Sequence, residues 1–95
     1  MTIGLAFFNA IDTIINLYIL VIIIGAVLSW LIVFNVIHPS NQIVRGVMEF
    51  TYRLTEPALR PIRNRLPNMG GIDISPIILI VGLILVRNLL AAVLI

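Results

Sequence analysis

The sequence predicts an all-α membrane protein: a two-span transmembrane helical hairpin with an amphipathic interfacial helix and a Pro/Gly-rich structured loop between the spans. Three observations carry that class. The chain is 61% hydrophobic and 11% charged over 95 residues, with mean hydropathy +1.19, whereas a soluble domain is about 45–50% apolar and about 25% charged. So short a chain has too much surface to hide this much apolar material in one core, and disorder needs the opposite composition. No charged residue lies between Asp12 and Arg45. Five of the six arginines lie between His38 and Asp73, and the N-terminal flank holds none.

The first span covers about 13–37. Leu17 to Phe34 is apolar except for Ser29 and the amphipathic rings of Tyr18 and Trp30, and about 20 such residues cross a hydrocarbon layer roughly 30 Å thick. A cleaved leader is not expected, because residues 1–12 carry no Lys or Arg and the apolar run is too long for a leader's apolar core.

The segment 40–56 reads as an amphipathic helix. Ile43, Val47, Phe50 and Leu54 recur at helical spacing, with Val44 and Met48 beside them. Gln42, Arg45, Glu49, Arg53 and Glu56 fall largely on the other side. Ser40 is the expected cap, Pro57 the expected end, and Glu49–Arg53 a favourable i,i+4 pair. Such a helix beside a span is expected in the headgroup layer, apolar face down.

The segment 57–73 is expected to be a basic Pro/Gly loop. Pro57, Pro61 and Pro67 break it into short helical or extended pieces. Arg60, Arg63 and Arg65, with Arg53, suit phosphate oxygens and anionic lipid. Nucleic acid is not expected, because the patch is small and lacks interleaved aromatic residues beyond Tyr52. Gly70 and Gly71 give a sharp reversal.

The second span, 74–95, is apolar apart from Ser75, Arg87 and Asn88. Ser75 followed by Pro76 fits an N-cap with proline at the first helical position. Arginine-rich loops stay cytoplasmic, so the loop is expected in the cytoplasm and both termini outside.

Glu56-Pro57 with Leu59-Arg60-Pro61-Ile62-Arg63, then Pro67, then Gly70-Gly71-Ile72-Asp73-Ile74-Ser75-Pro76 and an apolar run reaching Arg87, resembles the YggT (YlmG-like) family over nearly the whole chain. The resemblance implies a small inner-membrane protein, without enzyme activity or cofactor. It also implies links to cell division and envelope shape, to osmotic stress tolerance and, in plastids, to nucleoid distribution and haem attachment. Some bacterial members carry two copies of the helix–loop–helix unit; this sequence has one GGIDxSP run.

Arg87 is the sharpest intramembrane residue, about 20 Å along the second helix from Ile74. It either snorkels to the outer headgroups or pairs with Asp12 and Asn16 on the first helix, across an expected axial offset of roughly 10 Å that a tilt or a second protomer would close. Asp73 is expected to organise the start of the second span and to pair with Arg60 or Arg63, and Glu56 to anchor Arg60. His38, the only histidine, is expected to be solvated. Gly25 and Ser29 allow close helix contact.

A missing cysteine complement excludes thiol catalysis and thiolate metal sites, and no nucleophile–base set or metal-ligand cluster is written in the residues. The expected function is therefore a non-enzymatic scaffold or assembly factor, with a membrane-protein partner or self-association. The alternative is a subunit of a homo-oligomeric pore or transporter, although the spans offer few polar residues to line a water path.

Overall fold

The computed structural model describes residues 2–67 and 73–95, and these form three α-helices and no strand. Helix α1 runs Ile3–Val33, α2 runs Gln42–Arg63 and α3 runs Ser75–Leu94. Gly70 and Gly71, expected to form the reversal, lie outside the described residues.

Helices α1 and α3 are long and apolar enough to cross a membrane. At 1.5 Å per residue, α3 is about 30 Å long and α1 about 46 Å. In their most apolar stretches only 11% of α1 and none of α3 is buried. A core helix of a soluble protein would bury most of that surface, so the outward apolar faces call for lipid. Serine and threonine in the helices bond their own chain: Ser29 Oγ donates to the Gly25 carbonyl and Thr13 Oγ1 to the Asn9 carbonyl, which removes the cost of hydroxyls in an apolar medium.

The two long helices pack antiparallel. Gly4 lies so close to the Leu94 carbonyl that a Cβ there would collide with backbone. Ile22, 1% exposed, is the most buried apolar side chain of α1 and lines the same cavity as Pro76. Helix α1 begins well before residue 13, with Thr2 Oγ1 accepting from the Leu5 amide as its cap. It also ends before residue 37. Asn35 has φ 61°, its amide bonds the Ile32 carbonyl and the Val36 amide bonds the Leu31 carbonyl. That is a Schellman stop, and asparagine is one of the few residues other than glycine that accepts left-handed backbone.

Helix α2 departs from expectation at both ends. Its cap is Asn41, whose Oδ1 accepts from the Ile43 and Val44 amides, while Ser40 instead faces His38 Nδ1 at 3.2 Å. It does not stop at Pro57. It continues through Pro57 and Pro61 to Arg63, so the first part of the expected loop is helical. The two prolines lie four apart on an exposed face. Opposite them Leu59 is buried and Arg63 is tied to two carboxylates. Packing on one side outweighs the hydrogen bonds lost on the other.

Three faces of α2 are therefore distinct. Val44, Met48, Thr51, Thr55, Leu59 and Ile62 face the α1–α3 pair and are buried or half-buried. Ile43, Val47, Phe50 and Leu54 form an exposed apolar stripe, with Ile43 77% and Phe50 62% exposed. Arg45, Glu49, Tyr52, Arg53 and Arg60 form the polar face.

Candidate functional site

The densest polar arrangement sits where α2 ends and α3 begins. Glu56 is only 8% exposed, and its Oε1 accepts from Arg63 Nη1 at 2.7 Å. Arg63 turns its other donors to Asp73: Nε to Oδ2 at 2.9 Å and Nη2 to Oδ2 at 2.8 Å. Asp73 Oδ1 in turn accepts from the Ser75 hydroxyl at 2.6 Å and the Ser75 amide at 3.0 Å. Ser75 is fully buried. One guanidinium thus bridges two carboxylates, and one of those carboxylates fastens the first turn of α3.

The helix start differs from the expected Ser-Pro cap. Ile74 holds the cap position and makes no side-chain cap bond, so Ser75 and Pro76 are the first residues of the helix. The capping oxygen comes from Asp73, which bonds the free amide of the first turn, where a carboxylate is favoured.

The electrostatics follow from these contacts. Burial opposes a charge on Asp73. The hydrogen bonds from the Ser75 hydroxyl and amide, then the bond and attraction from Arg63, outweigh it and hold the carboxyl below its ordinary range. Burial likewise opposes the charge of Arg63, and Glu56 and Asp73 more than restore it.

The four arginines expected on anionic lipid are not equivalent. Arg53 Nη2 lies 2.6 Å from Glu49, Arg60 Nε lies 3.6 Å from Glu56, and Arg63 is doubly paired. Among the described residues, Arg45 and Arg65 make no ion pair, and they are where the net positive charge remains available. Arg60 Nη2 also reaches the Tyr52 hydroxyl at 3.3 Å.

Behind the corner, α1 and α2 enclose a cavity of about 90 Å³ lined by Ile22, Gly25, Trp30, Thr51, Thr55 and Glu56, among others. Trp30 Nε1 is buried there without a hydrogen-bond partner. A Cβ on Gly25 would stand 3.3 Å from Thr51 Oγ1, so this glycine serves the contact with α2. Tyr18 adds a tie, donating to the Leu54 carbonyl at 2.9 Å. Sequence reasoning missed Thr51, Thr55 and Tyr18. The signal was the i,i+4 threonine pair, set between the apolar stripe and the charged face.

The third polar group lies far from the corner. Arg87 Nε is 3.6 Å from Asp12 Oδ1, Arg87 Nη1 is 3.4 Å from Asn16 Oδ1, and Asn16 Nδ2 is 3.4 Å from Asp12 Oδ2. One chain brings them together with no second protomer. The expected offset disappears because the two helices pack with Gly4 against Leu94, a register that sets Asp12 level with Arg87.

Comparison with known proteins gives the context. The chain matches the CCB3/YggT family over residues 4–94. It is 39% identical over 80 residues to the uncharacterized protein YggT of Escherichia coli, covering 83% of this chain and 43% of that one. It is 43% identical over 68 residues to an uncharacterized protein of Haemophilus influenzae, covering 72% of this chain and 33% of the relative. An uncharacterized protein of Pseudomonas aeruginosa is 39% identical over 75 residues, covering 75% of this chain and 34% of the relative. The aligned region thus spans between a third and a little over two-fifths of the length of these relatives. No solved structure matches the chain. The chain belongs to the CCB3/YggT family.

Proposed function

We propose that this member of the CCB3/YggT family is a non-enzymatic inner-membrane scaffold or assembly factor, serving cell division, envelope organisation or membrane-protein assembly. Helices α1 and α3 span the bilayer as a hairpin, with the α2 corner cytoplasmic and both termini outside. Helix α2 lies in the headgroup layer, its apolar stripe in lipid and its polar face in water. Membrane-protein partners, or a second copy, meet that polar face, and Arg45 and Arg65 meet anionic lipid.

The observation that carries this reading is the corner itself. A helix with three chemically different faces is held by a bridge of Glu56, Arg63, Asp73 and Ser75, with bonds of 2.6–3.0 Å. That architecture supports the reading of a fixed surface. The pore alternative, a homo-oligomer acting in osmotic tolerance, needs an arginine free to face a water path. Arg87 here has a carboxylate and an amide within 3.6 Å, which argues for the scaffold.

The test is photo-crosslinking in cells at native expression, from probes at Tyr52, Leu66 and Leu90. A reproducible membrane-protein product at Tyr52 and Leu66, identified by mass spectrometry, is the expected result. Products linking only copies of this chain, strongest at Leu90, would overturn the scaffold reading in favour of the oligomeric pore.

A further inference from the structure

The polar edge of α2 carries an open groove of about 650 Å³ that meets the corner at Glu56. That volume falls within the 300–1,000 Å³ of small-molecule sites. It is lined by Tyr52, Arg53, Glu56, Pro57, Arg60, Pro61 and Asn64. It runs along the boundary between the apolar stripe and the charged face. With the stripe in lipid, that boundary is the level of the headgroups, so this inference rests on the interfacial placement of α2 proposed above.

Two features give the groove a chemical preference. The first is its prolines. An α-helical carbonyl is normally bonded by the N–H four residues on. Position 57 is proline, so the Arg53 carbonyl has no such donor; position 61 is proline, so the Pro57 carbonyl has none either. Two carbonyls one turn apart, on residues that are both exposed, therefore lack an intrahelical donor, and they favour a ligand with several N–H donors.

The second is charge. Arg53 and Arg60 stand two turns apart on the same wall, each with guanidinium donors left over after its contacts. These donors suit phosphate oxygens. Yet each arginine has a carboxylate beside it, Glu49 and Glu56, so the wall is close to neutral. A ligand with net negative charge would be left partly uncompensated. A ligand with one phosphate and one cation would not.

We propose that this groove binds the headgroup of a zwitterionic phospholipid bearing a primary amine, of the ethanolamine class. The phosphodiester sits on Arg53 and Arg60, the ammonium donates to the Arg53 and Pro57 carbonyls, and the acyl chains follow the stripe at Phe50 and Leu54. A trimethylated headgroup cannot replace it, because a quaternary ammonium has no N–H, and the groove's lining holds one aromatic ring, Tyr52, rather than a cage.

The experiment is native mass spectrometry of the purified full chain with phosphatidylethanolamine, phosphatidylcholine and phosphatidylglycerol of identical acyl chains. Ethanolamine lipid is expected to be retained roughly tenfold over choline lipid, the weight of one charge-assisted hydrogen bond. The double variant P57A/P61A restores both intrahelical donors and favours the helix, so it should keep the fold and abolish the preference. Equal retention of ethanolamine and choline lipids, a preference for the glycerol lipid, or an unchanged preference in the double variant would each overturn the proposal. A depth-dependent quenching probe at Phe50 in bilayers separates the two readings. Phe50 in lipid without ethanolamine preference sinks this inference alone, whereas Phe50 in water sinks the interfacial placement with it.

Discussion

The two ends of the hairpin hold ionic groups of opposite character. At the α2–α3 corner, Arg63 binds buried Glu56 and half-buried Asp73 at 2.7–2.9 Å, and Asp73 also fastens the start of α3 through Ser75. At the other end, Arg87, Asp12 and Asn16 meet at 3.4–3.6 Å, with the Arg87 and Asp12 side chains each 31% exposed. A charge taken out of water is stabilised only where geometry is tight and hydrogen bonds are complete. The corner meets that condition and acts as a structural lock. The Arg87 group is a loose association that makes an apolar span tolerable without holding it together.

Removing Arg63 should show this contrast most strongly. Arg63→Leu strands Glu56 without its closest partner and frees Asp73 from α2. A loss of about 3 kcal/mol is expected, the low end for a broken buried pair because Arg63 itself is part-exposed. Arg87→Leu removes a longer pair and also the cost of an arginine in the bilayer, about 2.5–3.5 kcal/mol at its centre. Its stability should stay within about 1 kcal/mol of wild type. Thermal unfolding of both variants in micelles checks the ranking, and equal losses would erase the distinction. Exchanging Arg63 with Asp73 is a poor probe of the pair, because it would set a second carboxylate beside Glu56.

Acid should separate the two ends next. Asp73 titrates below its ordinary value in the folded protein. Its contribution is therefore complete above the ordinary carboxylate range and is lost as pH falls through the depressed folded value. Unfolding scans between neutral and strongly acidic pH should show that loss in wild type and a smaller one in Asp73→Asn. An identical acid profile in the variant would place the lability elsewhere.

The smallest effects concern the glycines. Gly25→Ala pushes a methyl against Thr51 at 3.3–3.4 Å and should cost about 1 kcal/mol. Gly82→Ala meets nothing within 4 Å and should be neutral or stabilise by up to about 1 kcal/mol. A cost at Gly82 in micelles would reveal a contact made between copies of the chain.

Much of this organisation is legible in the residues. The apolar runs mark α1 and α3, and the spacing of Ile43, Val47, Phe50 and Leu54 marks α2. The polar ends were harder to read. Asn35 terminates α1 through left-handed backbone, a local signal hidden inside an apolar run. Thr2 starts the helix, and Asn9 and Asp12 sit inside it, because helical packing against α3 outweighs their poor propensity. Pro57 and Pro61 conceal the last third of α2, since the local rule for proline is overridden only by contacts distant in sequence, at Leu59 and Arg63. Pairing of Arg63 with Asp73 was foreseeable from their opposite charges and nearness in sequence. Sharing of Arg63 with Glu56 was not, because it depends on the helix continuing past Pro57.

The central claim is that the corner holds α2 with its stripe in lipid, its charges in water and its threonines against the hairpin. The chain has no cysteine, so single cysteines can carry a nitroxide at successive positions from 43 to 62 in reconstituted bilayers. The account predicts contact with lipid-soluble oxygen at 43, 47, 50 and 54, contact with a water-soluble relaxant at 45, 49, 53 and 60, and protection from both at 51, 55 and 59. Water contact at 43 and 50 equal to that at 53 would contradict it.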